Sequence, residues 1–172
     1  MLATPLIALL LLAAPQTPAP STQANNEDQE FVNRAAKDGT AEVTLATLAQ
    51  KKATTESART LASQLRTDHE RANAELMEIA RRKGMSPDTS PSEEQRQAAS
   101  KLTSASGADF DKSYTDEMVQ DHQKAVQLFE DYSHTGNDPD LKAFAAKVLP
   151  TLRHHLEMAQ AASHGGGSSS SQ

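Results

Sequence analysis

The sequence lacks several residue types, and each absence excludes a class of protein. None of its 172 residues is cysteine, which excludes disulfides, thiolate metal sites and cysteine nucleophiles. Any bound metal must therefore use histidine, carboxylate or methionine ligands. Tryptophan is also absent and aromatic residues make up only 3% of the chain, so the core must be built from Ala, Leu, Val and Met. This composition favours close-packed helices over a β-sandwich, because Ala and Leu are good helix formers.

Long runs of basic residues are absent as well. The chain contains 23 acidic and 17 basic residues, which give a formal net charge of -6 at pH 7. Such a balance disfavours nucleic acid and anionic membrane surfaces as binding partners.

Only one long apolar run occurs, "LIALLLLAA" from Leu6 to Ala14. It is too short to span a hydrocarbon core about 30 Å thick, but it has the length of the hydrophobic region of a secretory signal. Thr22 and Ala24 are the small residues expected at positions -3 and -1 of a cleavage site before Asn25. The basic residues that usually precede the hydrophobic region of a signal are absent, because no Lys or Arg comes before the run. We therefore predict a signal peptide over residues 1–24, export to the periplasm, and no transmembrane span in the mature chain. An uncleaved short anchor is the alternative.

Start and stop signals divide the rest of the chain into helices. Asp28 is a candidate N-cap, Ser92 and Gln95 form a capping box, and Asp138 precedes Pro139 in the pattern of a helix start. Gly84 follows "RRK" as a C-terminal stop signal does.

These signals, with apolar residues at helical spacing, predict an all-α fold. Four long helices are expected at about 28–53, 54–84, 110–133 and 138–163, with a short connecting helix between the second and the third. Helices of this length in two hairpins form an antiparallel four-helix bundle, here over residues 25–164. Residues 165–172, "GGGSSSSQ", are expected to be a disordered tail.

An Asp-His phrase occurs twice, in "TDHERANAEL" (67–76) and in "QDHQKAVQLF" (120–129). His69 lies on the apolar stripe of the second helix, His122 on that of the third and His155 on that of the fourth. A single such histidine is most simply a core residue that is hydrogen-bonded to a neighbour. Three of them on separate helices predict a shared metal ion, because a buried imidazole without a partner costs about 1–3 kcal/mol.

A carboxylate ligand is expected from the first helix, where Glu42 lies on the apolar stripe; a solvated helix acid is the alternative. Glu42, His69, His122 and His155 would hold a single divalent metal ion, and these ligand types suit Zn, Fe, Mn or Cu.

Other carboxylates lie close to the histidines in the sequence. Asp68 and Asp121 precede His69 and His122, either as solvated residues or as partners that orient a ligand, and we favour the solvated interpretation for Asp68. Glu117 and Asp121, four residues apart, form a weaker acidic pair.

The two Asp-His phrases, "FDKSY" (110–114) and "LPTLRHHL" (149–156) together resemble the bacterial exported domain family of unknown function number 4142. The resemblance covers nearly all of residues 28–162. It implies a ferritin-like four-helix bundle and a secreted or envelope location, but no established reaction. Ferritin-like di-iron proteins carry Glu-x-x-His pairs, which this sequence lacks, so we expect a mononuclear site instead.

The sequence thus predicts an exported metal-binding bundle. The alternative is a metal-free structural or interaction module of the cell envelope, with another envelope protein as its partner. An enzyme is less favoured, because no nucleophile motif stands out and a closed four-ligand site lacks the open position that catalysis needs.

Overall fold

The computed structural model of the protein describes residues 22–165, which form five helices and contain no strand. The helices are α1 (Thr22–Lys52), α2 (Glu56–Arg82), α3 (Glu93–Ser104), α4 (Gly107–Thr135) and α5 (Pro139–Gly165). The all-helical prediction is therefore confirmed, including the short helix α3 between the second and third long helices. Within the same range, no helix combines the length and the apolar character needed to cross a membrane.

Residues 1–21, most of the predicted signal peptide, and residues 166–172, most of the predicted tail, lie outside the described residues. The signal peptide, its cleavage and the disorder of the tail therefore stay predictions.

Local side-chain chemistry explains where most helices begin and end. Ser92 accepts a hydrogen bond from the backbone of Gln95, and the Gln95 side chain accepts one from the backbone of Ser92, so the predicted capping box is present. Asp138 caps α5 by accepting hydrogen bonds from two backbone N–H groups of its first turn. Gly84 follows α2 with φ 68, a left-handed conformation that favours glycine.

The prediction of Asp28 as an N-cap is wrong, because α1 begins six residues earlier, at Thr22. Asp28 is instead buried inside the helix. Its carboxylate accepts hydrogen bonds from the Tyr132 hydroxyl and from the Asp138 backbone N–H. This carboxylate therefore joins α1 to the connection between α4 and α5.

The four long helices share a core that consists of two apolar clusters. The Phe31 cluster includes buried residues from all four helices: Phe31, Val32, Leu76, Ile79, Phe129, Leu141, Phe144 and Leu152. The Tyr114 cluster also draws on all four, and on α3: Leu45, Leu61, Leu65, Leu102, Phe110, Tyr114, Met118 and Ala159. α1 packs mainly against α2 and α4 mainly against α5, and contacts of α2 with α5 and of α1 with α4 join the two pairs. The described residues thus form a helical bundle.

A glycine allows α1 and α2 to approach each other closely. A Cβ atom at Gly39 would collide with the side chain of Asn73, which lies opposite it on α2. Glu42 follows Gly39 by three residues and His69 precedes Asn73 by four, so the close approach lies about one turn from both. It helps to bring these two side chains into contact.

Candidate metal site

A layer of polar side chains separates the two apolar clusters. Each long helix contributes one residue to this polar layer: Glu42 from α1, His69 from α2, His122 from α4 and His155 from α5. On every helix that residue stands between the segment in the Phe31 cluster and the segment in the Tyr114 cluster. The four residues are only 3%, 8%, 0% and 1% exposed, respectively. The structure thus brings together all four residues that the sequence singled out.

The three imidazole rings converge on one another. Nε2 of His69 lies 3.4 Å from Nε2 of His122, which lies 3.3 Å from Nδ1 of His155. One ring nitrogen from each histidine can be chosen so that all three lie within 4.8 Å of one another. Ligands placed 2.0–2.1 Å from a tetrahedral metal are about 3.3 Å apart. Two of the three separations therefore match those of nitrogens bound to a single ion.

Hydrogen bonds on the outer side of two rings leave their inner nitrogens free. Nδ1 of His122 lies 2.9 Å from the carbonyl oxygen of Met118, and Nε2 of His155 lies 3.0 Å from Oδ2 of Asp68. A carbonyl and a carboxylate only accept, so the ring nitrogens that face them carry the protons. The lone pairs of His122 Nε2 and His155 Nδ1 are then directed toward the centre of the layer, as in the carboxylate-histidine-metal arrangements of metalloproteins.

The prediction that Asp68 is solvated is wrong. The side chain is buried, and besides His155 it accepts hydrogen bonds from Gln64 at 2.7 Å and from Arg71 at 2.6 Å. Although burial alone would raise its pKa, the hydrogen bonds from His155 and Gln64 lower the pKa of Asp68. An ionised Asp68 therefore orients His155, which is the other role that the sequence allowed.

Glu42 completes the layer from α1. Its Oε2 atom lies 2.9 Å from Nε2 of His69 and 3.4 Å from Nε2 of His122. The contact with His69 is not aligned as a hydrogen bond, and within residues 26–165 this buried oxygen has no hydrogen-bond partner. An unpartnered buried carboxylate oxygen beside two ring nitrogens is an arrangement that a cation would satisfy.

The ionisation states of the layer follow from burial and from mutual contact. Burial lowers the pKa of His122, and it lowers the pKa of His155 to about 4 despite the hydrogen bond to Asp68. Burial would also lower the pKa of His69, but the carboxylate of Glu42 outweighs it and raises that pKa. Glu42 remains ionised beside these rings, because His122 and His69 outweigh its burial and lower its pKa to about 2. Two neutral imidazoles and one carboxylate are thus available as ligands near neutral pH, and His69 becomes the third imidazole on losing a proton.

Tyr114 is a buried polar residue that the sequence analysis did not identify. Its hydroxyl is fully buried and has no hydrogen-bond partner among residues 26–165. Burial and the charge of Glu42 raise the pKa of Tyr114, so the phenol is neutral. Tyr114 lies at an apolar position of the third long helix, so the sequence pattern does not distinguish it from any other core aromatic residue.

Several solved structures share this fold. A DUF305 fragment from Deinococcus radiodurans superposes with a TM-score of 0.71 at 15% identity, over 81% of this chain and 96% of that one. CopM in its Cu(I)-bound form gives 0.69 at 17% identity, over 80% and 96% of the two chains. CopM in a Ag-bound form gives 0.66 at 17% identity, over 80% and 95%. At these identities the likeness establishes the helical fold alone.

Comparison with curated proteins gave no match. The sequence profile of the domain of unknown function DUF4142, by contrast, matches residues 13–162, and the chain belongs to this family.

Proposed function

We propose that this protein binds a single transition-metal ion through His69, His122 and His155, with Glu42 as the fourth ligand. One observation carries the proposal: three buried imidazoles, two with their outer N–H groups already engaged, converge with a carboxylate oxygen that lacks a partner. A bound ion would use the free nitrogen lone pairs and balance the negative charge of Glu42. The chemistry it brings is that of a Lewis acid held by three nitrogens and one oxygen.

Copper is the first metal to test. Three imidazoles and a carboxylate suit Zn, Fe, Mn or Cu by ligand type. The CopM structures that share the fold were solved with Cu(I), Cu(II) and Ag, which favours copper among these candidates and adds silver as a probe. Four protein ligands would leave no open coordination position, so metal binding or handling fits the site better than catalysis.

The four long helices are proposed to form an antiparallel, ferritin-like bundle. Support comes from the order in which each helix meets the two apolar clusters. Along the chain, α1 and α5 pass from the Phe31 cluster to the Tyr114 cluster, whereas α2 and α4 pass in the opposite direction. Helices α1 and α2 would then run antiparallel, as would α4 and α5, while α3 and its flanking loops would return the chain along the bundle.

The protein is further proposed to act in the periplasm after loss of residues 1–24. The apolar run from Leu6 to Ala14 and the small residues before Asn25 support this location. N-terminal sequencing of the protein recovered from a periplasmic extract should start at Asn25. Recovery of the intact N-terminus in the membrane fraction would favour the uncleaved anchor.

The decisive experiment is elemental analysis of residues 25–172, purified without a histidine tag and loaded in turn with Cu, Zn, Fe and Mn. We expect close to one metal ion per chain in the parent and none in the His69→Ala, His122→Ala double variant, with the helical circular dichroism preserved. His154→Ala is a matched control, because this neighbour of His155 lies at the surface with a side chain 63% exposed. It should bind metal as the parent does.

Absence of metal from the parent after every loading would overturn the proposal. The histidines would then be interior packing residues, and a metal-free interaction module of the envelope would be the better interpretation.

A further inference from the structure

Three spaces of different size reach the polar layer, and the smallest, of about 30 Å³, is lined mostly by apolar residues of the four long helices besides Glu42 and His69. A cleft of about 470 Å³ lies between α1, α3 and α4, and Glu42 is one of the residues that line it. A much smaller opening of about 60 Å³ lies between α2 and α5 and reaches His69 and His155. A metal ion that binds in the layer must cross one of these regions or wait for the helices to separate.

The small opening carries balanced and paired charges. Arg71 lies 2.6 Å from Asp68, and Lys147 lies 2.7 Å from Glu75. These four side chains account for the charged lining apart from the histidines. Both carboxylates already have a cationic partner, so an incoming cation would have to displace an arginine or a lysine.

The large cleft, by contrast, carries an excess of negative charge. Six carboxylates and three basic side chains line it. Two of the basic side chains are engaged by carboxylates, Lys124 by Glu94 at 2.6 Å and Lys37 by Asp88, which lies outside the cleft lining, at 3.1 Å. We refer to this region as the acidic cleft.

Three further carboxylates line the acidic cleft together with Glu42: Asp38, Glu117 and Asp121. Asp38 lies about one turn before Glu42 on α1, and Glu117 lies about one turn before Asp121 on α4. A concave surface with one excess charge concentrates counter-ions and accelerates their association. Glu42 belongs both to the cleft lining and to the polar layer, where its unpartnered oxygen contacts two histidines.

We propose that metal cations enter and leave the histidine site through the acidic cleft, with Glu42 passing the ion between the cleft carboxylates and the imidazoles. This inference rests on the proposed metal-binding function. It assigns to Asp38, Glu117 and Asp121 a role in the rate of exchange, and not in the final ligand set. A route and a ligand differ in a measurable way, because obstruction of a route changes association and dissociation by the same factor and leaves the equilibrium constant unchanged.

The test is stopped-flow measurement of Co²⁺ association, followed by its visible absorption, and of dissociation into excess chelator. Ala98 lines the acidic cleft from α3 and is only partly buried, so Ala98→Trp can obstruct the cleft at its rim. Both rates should fall about tenfold with an unchanged Kd. Thr151→Trp is the matched control at the small opening, and its rates should equal those of the parent.

A second variant tests the charge of the route without added bulk. Asp38→Asn combined with Glu117→Gln should slow association several-fold at low ionic strength, and the difference should shrink at high salt, because the screening length falls to about 3 Å at about 1 M salt. Glu75→Gln combined with Glu78→Gln removes the same charge from α2 outside the acidic cleft and should leave the association rate unchanged.

The outcomes separate the two proposals. A parent protein that gives no Co²⁺ signal overturns metal binding and the route together. A parent that binds Co²⁺, with rates that neither Ala98→Trp nor the charge variant alters, overturns the route alone. Slower exchange in Thr151→Trp with normal exchange in Ala98→Trp would assign the route to the small opening instead.

Discussion

Glu42 and Asp111 are both buried carboxylates on long helices, 3% and 6% exposed, but their surroundings differ. Asp111, near the start of α4, accepts hydrogen bonds from the backbone N–H and hydroxyl of Thr54, at 2.9 and 2.7 Å, and from the N–H of Thr55 at 2.7 Å. These donors belong to the connection between α1 and α2. Glu42, in the middle of α1, is left with an oxygen that has no hydrogen-bond partner within residues 26–165.

Under the proposed function, this difference separates a carboxylate that stabilises the fold from one that binds a ligand. The hydrogen bonds of Asp111 satisfy its charge within the chain, so nothing further is needed there. The charge of Glu42 is balanced by the neighbouring His69 and His122, but its Oε2 atom still accepts no hydrogen bond. A missing hydrogen bond of this kind is expected where binding later supplies a partner, and under the proposed function that partner is a cation.

The largest effect should follow from neutralising Glu42. We expect Glu42→Gln to weaken metal binding about 100-fold or more, because loss of an outer partner of a ligand alone costs about 10–100-fold. The metal-free protein should be less stable than the parent near neutral pH, because His122 and His69 outweigh burial and lower the pKa of Glu42 to about 2, so its charge stabilises the folded state. Competition titration with a chromophoric chelator measures the affinity, and thermal unfolding of the metal-free protein measures the stability.

Glu78→Gln is the control for that substitution, because it removes the same charge from a residue at the surface of α2. It should change neither quantity. An unchanged metal affinity in Glu42→Gln would remove Glu42 from the ligand set and leave a three-histidine site.

The second effect concerns the other carboxylate. Asp111→Ala removes the acceptor for three donors at the α1–α2 connection, and we expect a loss of about 2 kcal/mol in the free energy of unfolding of the metal-free protein. Metal affinity should stay at the parent value, because His122 lies eleven residues along α4, about 16 Å away. Urea denaturation and the chelator titration check the two expectations.

Asp116→Asn is the matched control for Asp111, since it lies on the same helix but is 40% exposed and paired with Lys112. Its substitution should cost less than about 0.5 kcal/mol. A comparable loss in both variants would mean that the hydrogen bonds of Asp111 contribute nothing particular.

Sequence periodicity identified the polar layer but not its surroundings. His69, His122, His155 and Glu42 each lie on an apolar stripe, and a stripe on one helix is a local property that spacing alone reveals. The caps at Ser92 and Asp138 were also readable, because a cap involves residues only a few positions apart.

Asp68 and Asp111 were not readable in this way. Their partners lie 87 and 57 residues away, on other parts of the bundle. Asp68 is rotated about 100° from His69 on the helix, which looks like a solvated position until α5 is packed beside it. Whether such a flanking residue meets solvent or a neighbouring helix depends on the rotation and depth of two helices, which no single segment encodes.

A smaller effect should come from Asp68, which unlike Glu42 acts through another residue. Asp68→Asn weakens the acceptor that orients His155, and we expect metal affinity to fall about tenfold. Glu70→Gln is the control, because Glu70 lies on the same helix, is exposed and pairs with Arg66. The same chelator titration applies. If Asp68→Asn matched Glu42→Gln in its effect, Asp68 would itself have to contact the metal.

The smallest expected effect is a difference in acid sensitivity at the Asp111 end of the molecule. Burial alone would raise the pKa of Asp111, but the hydrogen bonds from Thr54 and Thr55 lower it below 3.8. As the pH falls, Asp111 therefore takes up its proton in the unfolded chain before it does so in the folded protein. The stabilisation by Asp111 is thus present above pH 3.8 and is lost as pH falls through the folded-state pKa. Unfolding free energies measured from pH 6 down to pH 2 should therefore converge for the parent and Asp111→Asn at the acid end. A constant difference at every pH would show that Asp111 stabilises the connection by its shape and not by its charge.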